Sequence, residues 1–167
     1  TQKGLAEVRY DYNMSSGIGL FALTDYNYDG KNDSGVNSLL SGIGLAKPVI
    51  QNKTTELVVA IGPSMQWTNG GDECGKDPYC GNAYAGGTFT TYLSWQPSKM
   101  FKLELNNKLS AAFTPDIKPA NNFKARFKFY PSIYSGLFTS LQYNLIYQSM
   151  STPEVNNSAS LQLGADF

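Results

Sequence analysis

Apolar and polar residues alternate with a period of two along the second half of this chain. From Lys99 to Phe113, the residues Phe101, Leu103, Leu105, Leu109, Ala111 and Phe113 share one parity, broken only by Asn107. Lys102, Glu104, Asn106, Lys108 and Ser110 hold the other. Successive side chains of a strand point to opposite faces, so this pattern predicts a strand with one apolar and one polar face. Three later segments repeat it: Phe123, Ala125, Phe127 and Phe129 against Lys124, Arg126 and Lys128; Leu141, Tyr143, Leu145 and Tyr147 against Ser140, Gln142 and Asn144; Ala159, Leu161 and Leu163 against Ser158, Ser160 and Gln162.

The first half alternates less cleanly. Ala6, Val8, Tyr10 and Tyr12 oppose Glu7, Arg9 and Asp11. Ile18, Leu20, Ala22, Tyr26 and Tyr28 share a parity, but Phe21 and Leu23 fall on the other. GVNSLLSGIGLAKPV, TTELVVAIGPSMQW and YAGGTFTTYLSW complete a set of about nine strands, most of 10 to 14 residues. Globular strands average about 5–6 residues, whereas about 9–11 tilted residues cross a bilayer.

Two folds suit long two-faced strands. A soluble sandwich or ligand-binding barrel buries the apolar face; a membrane barrel turns it to lipid and the polar face to the lumen. The expected luminal face carries Glu7, Arg9, Asp11, Glu56, Lys102, Glu104, Lys108, Lys124, Arg126 and Lys128, although only 16% of the chain is charged. Aromatics gather at strand ends: Tyr10 and Tyr12, Tyr26 and Tyr28, Trp67 and Tyr84, Trp95 and Phe101, Phe113 and Phe123, Tyr143 and Tyr147. Two interfacial girdles would place them there. The connections also alternate, short (NMSSG, QPSK, PSIYS) against longer (DGKNDSG, TNGGDECGKDPYCGNA, TPDIKPANN, MSTPEVNN). Periplasmic turns and outer loops differ in that way. The expectation is therefore an all-β antiparallel transmembrane barrel, forming one domain over residues 1–167. Bacterial barrels usually have an even strand count, so a tenth strand is expected before Thr1; closure by eight strands is the alternative.

Composition narrows the function. The formal net charge is zero, which argues against nucleic acid as a partner. There is no apolar run of about 18 residues for a membrane helix, and TQKGLAEVRY does not read as a signal peptide, so any leader is expected to be already removed. Histidine is absent, which removes the commonest general base and transition-metal ligand. No catalytic residue, cofactor or metal site is assigned. Cys74 and Cys80 lie in a loop rich in Gly, Asp and Pro and are read as a local disulfide, implying an oxidising compartment. Zinc would need two further ligands, Asp72 and Asp77 being the nearest candidates.

DYNYDGKND, Asp25 to Asp33, imitates a calcium loop: Asp25, Asn27 and Asp29 are spaced by two, and Gly30 follows. Val36 stands where an EF-hand needs its bidentate Glu, and no flanking helices are predicted. A strand ending in a Gly turn accounts for the same spacing.

LQLGADF at the C-terminus resembles the end of bacterial outer-membrane barrel proteins. The resemblance implies that Phe167 is read by the barrel-insertion machinery. More narrowly, SGIGLAKPVI with TTELVVAIGPSMQW resembles the Gly-rich strand pair of the salt-induced outer-membrane protein family, a domain of unknown function. The resulting expectation is a small barrel in the outer membrane of a Gram-negative envelope. Its partners would be outer-membrane lipid, the insertion machinery and other envelope proteins. Its role would be structural, anchoring or interactive, with the lumen filled by side chains; a narrow conduit is the alternative.

Overall fold

A computed structural model describes residues 3–13, 17–29, 36–70, 80–114, 117, 119–131, 136–147 and 155–165. Nine strands follow one another: β1 (Lys3–Asn13), β2 (Gly19–Asp29), β3 (Val36–Gln51), β4 (Thr55–Asn69), β5 (Ala83–Ser98), β6 (Phe101–Ala112), β7 (Ala120–Phe129), β8 (Leu137–Tyr147) and β9 (Val155–Ala165). They form a single sheet in chain order, each antiparallel to the next. The all-β class and the strand count read from the alternation are both observed. No ladder joins β1 to β9 among the described residues, so the sheet is not closed there. With an odd count of antiparallel strands, β1 and β9 run in the same direction.

The connections 14–18, 52–54, 99–100 and 130–136 lie at one end; 30–35, 70–82, 113–119 and 148–154 lie at the other. We call these the short-turn and long-loop ends. The expected contrast holds for three of the short connections; 130–136 is as long as 113–119 and 148–154.

Residues opposed in a ladder share a face. One row runs Ser158, Asn144, Lys124, Asn106, Tyr92, Val58, Pro48 across seven strands. This face is the buried one. Phe21, Leu23, Leu40, Ala46, Ala60 and Tyr84 are buried on it, as are Ser64, Thr68, Thr88, Thr90, Ser110, Lys128 and Ser140. The opposite face carries Val8, Ile43, Ile61, Met65, Phe89, Leu141 and Leu161 in the open. Ile61 is 65% exposed while its chain neighbour Ala60 is 2% exposed. A soluble domain has the reverse arrangement.

Phe21 and Leu23, out of step with the apolar parity of β2, are turned inward by the same geometry. With Leu40, Ala46 and Ala60 they form a small apolar cluster on β2–β4, with Val58 against it. Glycine makes room for it. A Cβ on Gly44 would stand 2.7 Å from the Phe21 ring and 2.6 Å from Gly62 Cα, so β3 and β4 approach closely under that ring. Phe138 covers Gly164 in the same way on β8 and β9, 2.6 Å from where a Cβ would stand. An aromatic ring over a strand glycine replaces the side-chain packing that the glycine lacks.

Candidate functional site

Each of the two covered glycines has a cation above its ring. Arg9 lies 5.6 Å from the Phe21 ring centroid, and Lys128 lies 4.4 Å from that of Phe138. Cations over aromatic faces gain electrostatically from the ring quadrupole. The inner face is thus built twice from the same stack: cation, ring, glycine.

Sequence parity placed ten charged residues on this face, and register gives each of them inward parity. Arg9 is bridged to Asp11 at 2.9 Å. Lys102 is bridged to Glu104 at 2.9 Å, and the Arg126 guanidinium approaches the same carboxylate at 3.9 Å. Arg126 Nε also donates to Gln142 Oε1 at 3.0 Å. Gln142 Nε2 donates to Asn144 Oδ1 at 3.1 Å, and Asn144 Nδ2 to Ser158 Oγ at 3.3 Å. A polar chain therefore crosses β6 to β9 along the inner face. Glu56 sits opposite Gln51 and Ser94, at the short-turn end. Lys128 is 8% exposed, which its ring contact helps to offset. For Glu7 the backbone register opposite Asp25 is described, but its side chain lies outside the described residues.

The ion pair that spans the interior was not assigned from sequence. Asp25 on β2 pairs with Lys108 Nζ on β6. Three strands separate them in the sheet, so the sheet curls far enough to bring its two sides together. Both Asp25 carboxylate oxygens are buried; among the described residues they have no hydrogen-bond donor apart from the paired ammonium. The strand expected for the calcium-like spacing is observed in the backbone as far as Asp29. Asp25, Asn27 and Asp29 belong to β2, with Asp25 facing inward and Tyr26 outward. Gly30 and Asp33 lie outside the described residues. No group of three or more metal-ligating side chains occurs among the described residues. The usable signal for Asp25 was its shared parity with Phe21 and Leu23. What sequence could not supply was which distant strand it would meet.

Inside the sheet, space is uneven. A cavity of about 520 Å³ lies toward the short-turn end, lined among others by Arg9, Asp11, Gln51, Glu56, Tyr92 and Asn106. A separate space of about 20 Å³ lies at the Asp25–Lys108 pair, lined by Arg9, Leu23, Thr90, Asn106, Asn122 and Lys124 beside the pair itself. The second volume is on the order of a single water.

The aromatic residues expected at strand ends sort by face. Tyr10, Tyr12, Trp95 and Phe101 are exposed on the outer face toward the short-turn end. Tyr26 and Tyr143 are exposed on it toward the long-loop end, with half-buried Tyr28, Trp67 and Tyr147. Phe101 packs against Phe127 and Phe129, with ring centroids 5.8 and 5.2 Å apart. Tyr84 corrects the expectation. It opposes Gln66, faces inward and is 8% exposed, because it has the parity of Gly86, Thr88 and Thr90. Being near a strand end placed it in the girdle by position, but parity decides the face.

Trp67 Nε1 donates to Gly81 O at 3.1 Å, and Gly81 N to Thr68 O at 2.8 Å. These contacts tie the base of the 70–82 connection to the end of β4. Cys80 Sγ lies 3.6 Å from Thr68 O. Cys74 and Phe167 lie outside the described residues.

The fold and this inner face define a class: an all-β antiparallel meander, curled around a polar, partly charged interior, with its apolar side outward. The chain belongs to the family described as "Protein of unknown function, DUF481", whose model matches residues 1–167. No curated protein and no solved structure matches the chain.

Proposed function

We propose that this chain is a small β-barrel of a bacterial outer membrane, with a structural, anchoring or interaction role and no catalytic one. One observation carries the reading. The buried face holds serine, threonine and lysine, and the exposed face holds isoleucine, leucine, valine and phenylalanine. In water that arrangement leaves a large apolar surface unpaid for by any burial; in hydrocarbon it is the stable one. The two outer aromatic belts support the same orientation, with strand ends at headgroup level.

The particular relatives we propose are the salt-induced outer-membrane proteins, on the resemblance of the Gly-rich strands to theirs. The partners follow from the reading: lipid around the apolar face, the insertion machinery acting on Phe167, and other envelope proteins at the loops. A Cys74–Cys80 disulfide would stiffen the largest loop in an oxidising compartment. Its test is mass spectrometry of alkylated protein with and without reductant; free thiols in the unreduced protein would rule it out.

Refolding tests the reading as a whole. The unfolded chain is diluted into lipid vesicles and into buffer alone. A barrel gives β-sheet circular dichroism and a heat-modifiable gel mobility only with lipid. Cooperative folding in buffer without lipid would overturn the proposal.

A further inference from the structure

We infer that the cavity of about 520 Å³ toward the short-turn end is a binding site for a small organic ammonium ion, with Glu56 as its counter-ion. The inference rests on the barrel reading above and gives the interior a ligand class. Three observations point to it.

The first is a bulge that shapes the wall. The β3–β4 register shifts between Pro48 and Ile50, which leaves Val49 as the extra residue. Strict alternation from Pro48 would turn Ile50 inward and Gln51 outward. Beyond the bulge, Ile50 instead opposes Leu57 on the outer face, and Gln51 opposes Glu56 on the inner one. Ile50 is accordingly exposed, and Gln51 lines the cavity together with Glu56. Bulges re-aim side chains in this way, and they gather at barrel rims and next to active sites.

The second is charge. Among the described residues, the ionised side chains lining the cavity are Arg9, Asp11 and Glu56. Arg9 donates to both carboxylate oxygens of Asp11 at 2.9 Å, so these two charges cancel. Among the described residues, no ion pair or hydrogen bond engages the Glu56 carboxylate. Lys124, opposite Asn106 in the ladder, lines the separate small space rather than this one. The wall thus keeps one uncompensated negative charge. A charged cleft between low-dielectric walls concentrates ions of the opposite sign.

The third is the chemistry of the remaining wall. Pro48, Val58 and Tyr92 stand side by side across β3, β4 and β5, and Ile18 and Ala46 add apolar surface. A hard metal ion wants about six to eight oxygen ligands and gains nothing from such a wall. An ammonium on an apolar body uses all of it. The charged head pairs with Glu56, the body covers Pro48 and Val58, and the Tyr92 ring attracts a cation. The volume also falls within the range of about 300–1,000 Å³ usual for small-molecule sites.

Calorimetric titration of the full chain folded in phosphatidylcholine vesicles tests the site, with butylammonium and tetraethylammonium as probes. Butanol and butyrate serve as the neutral and anionic counterparts, and empty vesicles give the background. At least one ammonium is expected to bind saturably, and butanol and butyrate about tenfold more weakly or not at all. Glu56→Gln keeps the shape of the side chain and should weaken ammonium binding about tenfold or more, whereas Glu56→Asp keeps the charge and should lose less. Tyr92→Leu should weaken it about two- to fivefold. No saturable binding of either ammonium, equal binding of butanol, or unchanged affinity in Glu56→Gln would overturn the site. Heat-modifiable mobility of each variant in the same lipid separates the two failures. A chain that folds into lipid without binding defeats the site alone; a chain that never folds into lipid defeats the barrel reading with it.

Discussion

Phe21 of β2 packs against Gly44 of β3, close enough that a Cβ on Gly44 would stand 2.7 Å from the ring. Arg9 lies over the same ring, 5.6 Å from its centroid. The ring thus contacts both a cation and bare backbone, and Phe21 is 2% exposed. Gly44→Ala must push the ring or the β4 backbone away. Overpacking of this kind costs about 1–3 kcal/mol. Phe21→Ala leaves the space empty and should cost about 3–5 kcal/mol. Urea titration in lipid vesicles, followed by tryptophan emission, reads both. Equal stability of Gly44→Ala and wild type would show that the close approach is not built into the fold.

The second stack permits a comparison. Lys128 lies 4.4 Å from the Phe138 ring centroid, and Phe138 covers Gly164. Phe138→Leu keeps apolar volume but removes the ring face. It should destabilise by about 1–2 kcal/mol, the worth of a desolvated cation–aromatic contact, and Lys128→Met should lower that difference in a double-mutant cycle. Additive effects would mean that the cation and the ring do not interact.

Burial governs the Asp25–Lys108 pair. Lys108→Met leaves the Asp25 carboxylate without its ammonium, and removing one partner of a buried pair costs about 3–5 kcal/mol. Replacing both at once, with Asp25→Asn and Lys108→Met, should cost less than the single change. The same urea titration checks the order. A double variant weaker than Lys108→Met would contradict a buried pair.

Face, rather than position along the strand, should decide tolerance to charge. Ile61→Arg puts a cation on the exposed apolar side of β4, near its middle. In lipid it should cost about 2–4 kcal/mol. In a soluble domain a substitution at so exposed a site falls within about 0.5 kcal/mol of neutral. Folding yield in vesicles, compared between Ile61→Arg and Gln66→Arg on the inner face, separates these outcomes. Equal yields would remove the lipid-facing assignment.

Much of this architecture was legible in the residues because strand side chains alternate with a period of two. Lys102, Glu104 and Lys108 share a face whatever the rest of the molecule does, and so do Leu141 and Tyr143. The exceptions were informative as well. Phe21 and Leu23 broke the apolar parity of β2 because their place is in the inner cluster, where Gly44 leaves room for the Phe21 ring. Tyr84 misled because its closeness to a strand end suggested a belt, whereas its parity with Thr88 and Thr90 turns it inward.

Alternation by itself determined the strands, their two faces and the inward set of charges, since each depends only on neighbours along the chain. Only the curl of the sheet decided who meets whom. Asp25 and Lys108 are 83 positions apart in sequence and have three strands between them in the sheet. Twist and curvature accumulate from strand to strand, and no local pattern records their sum.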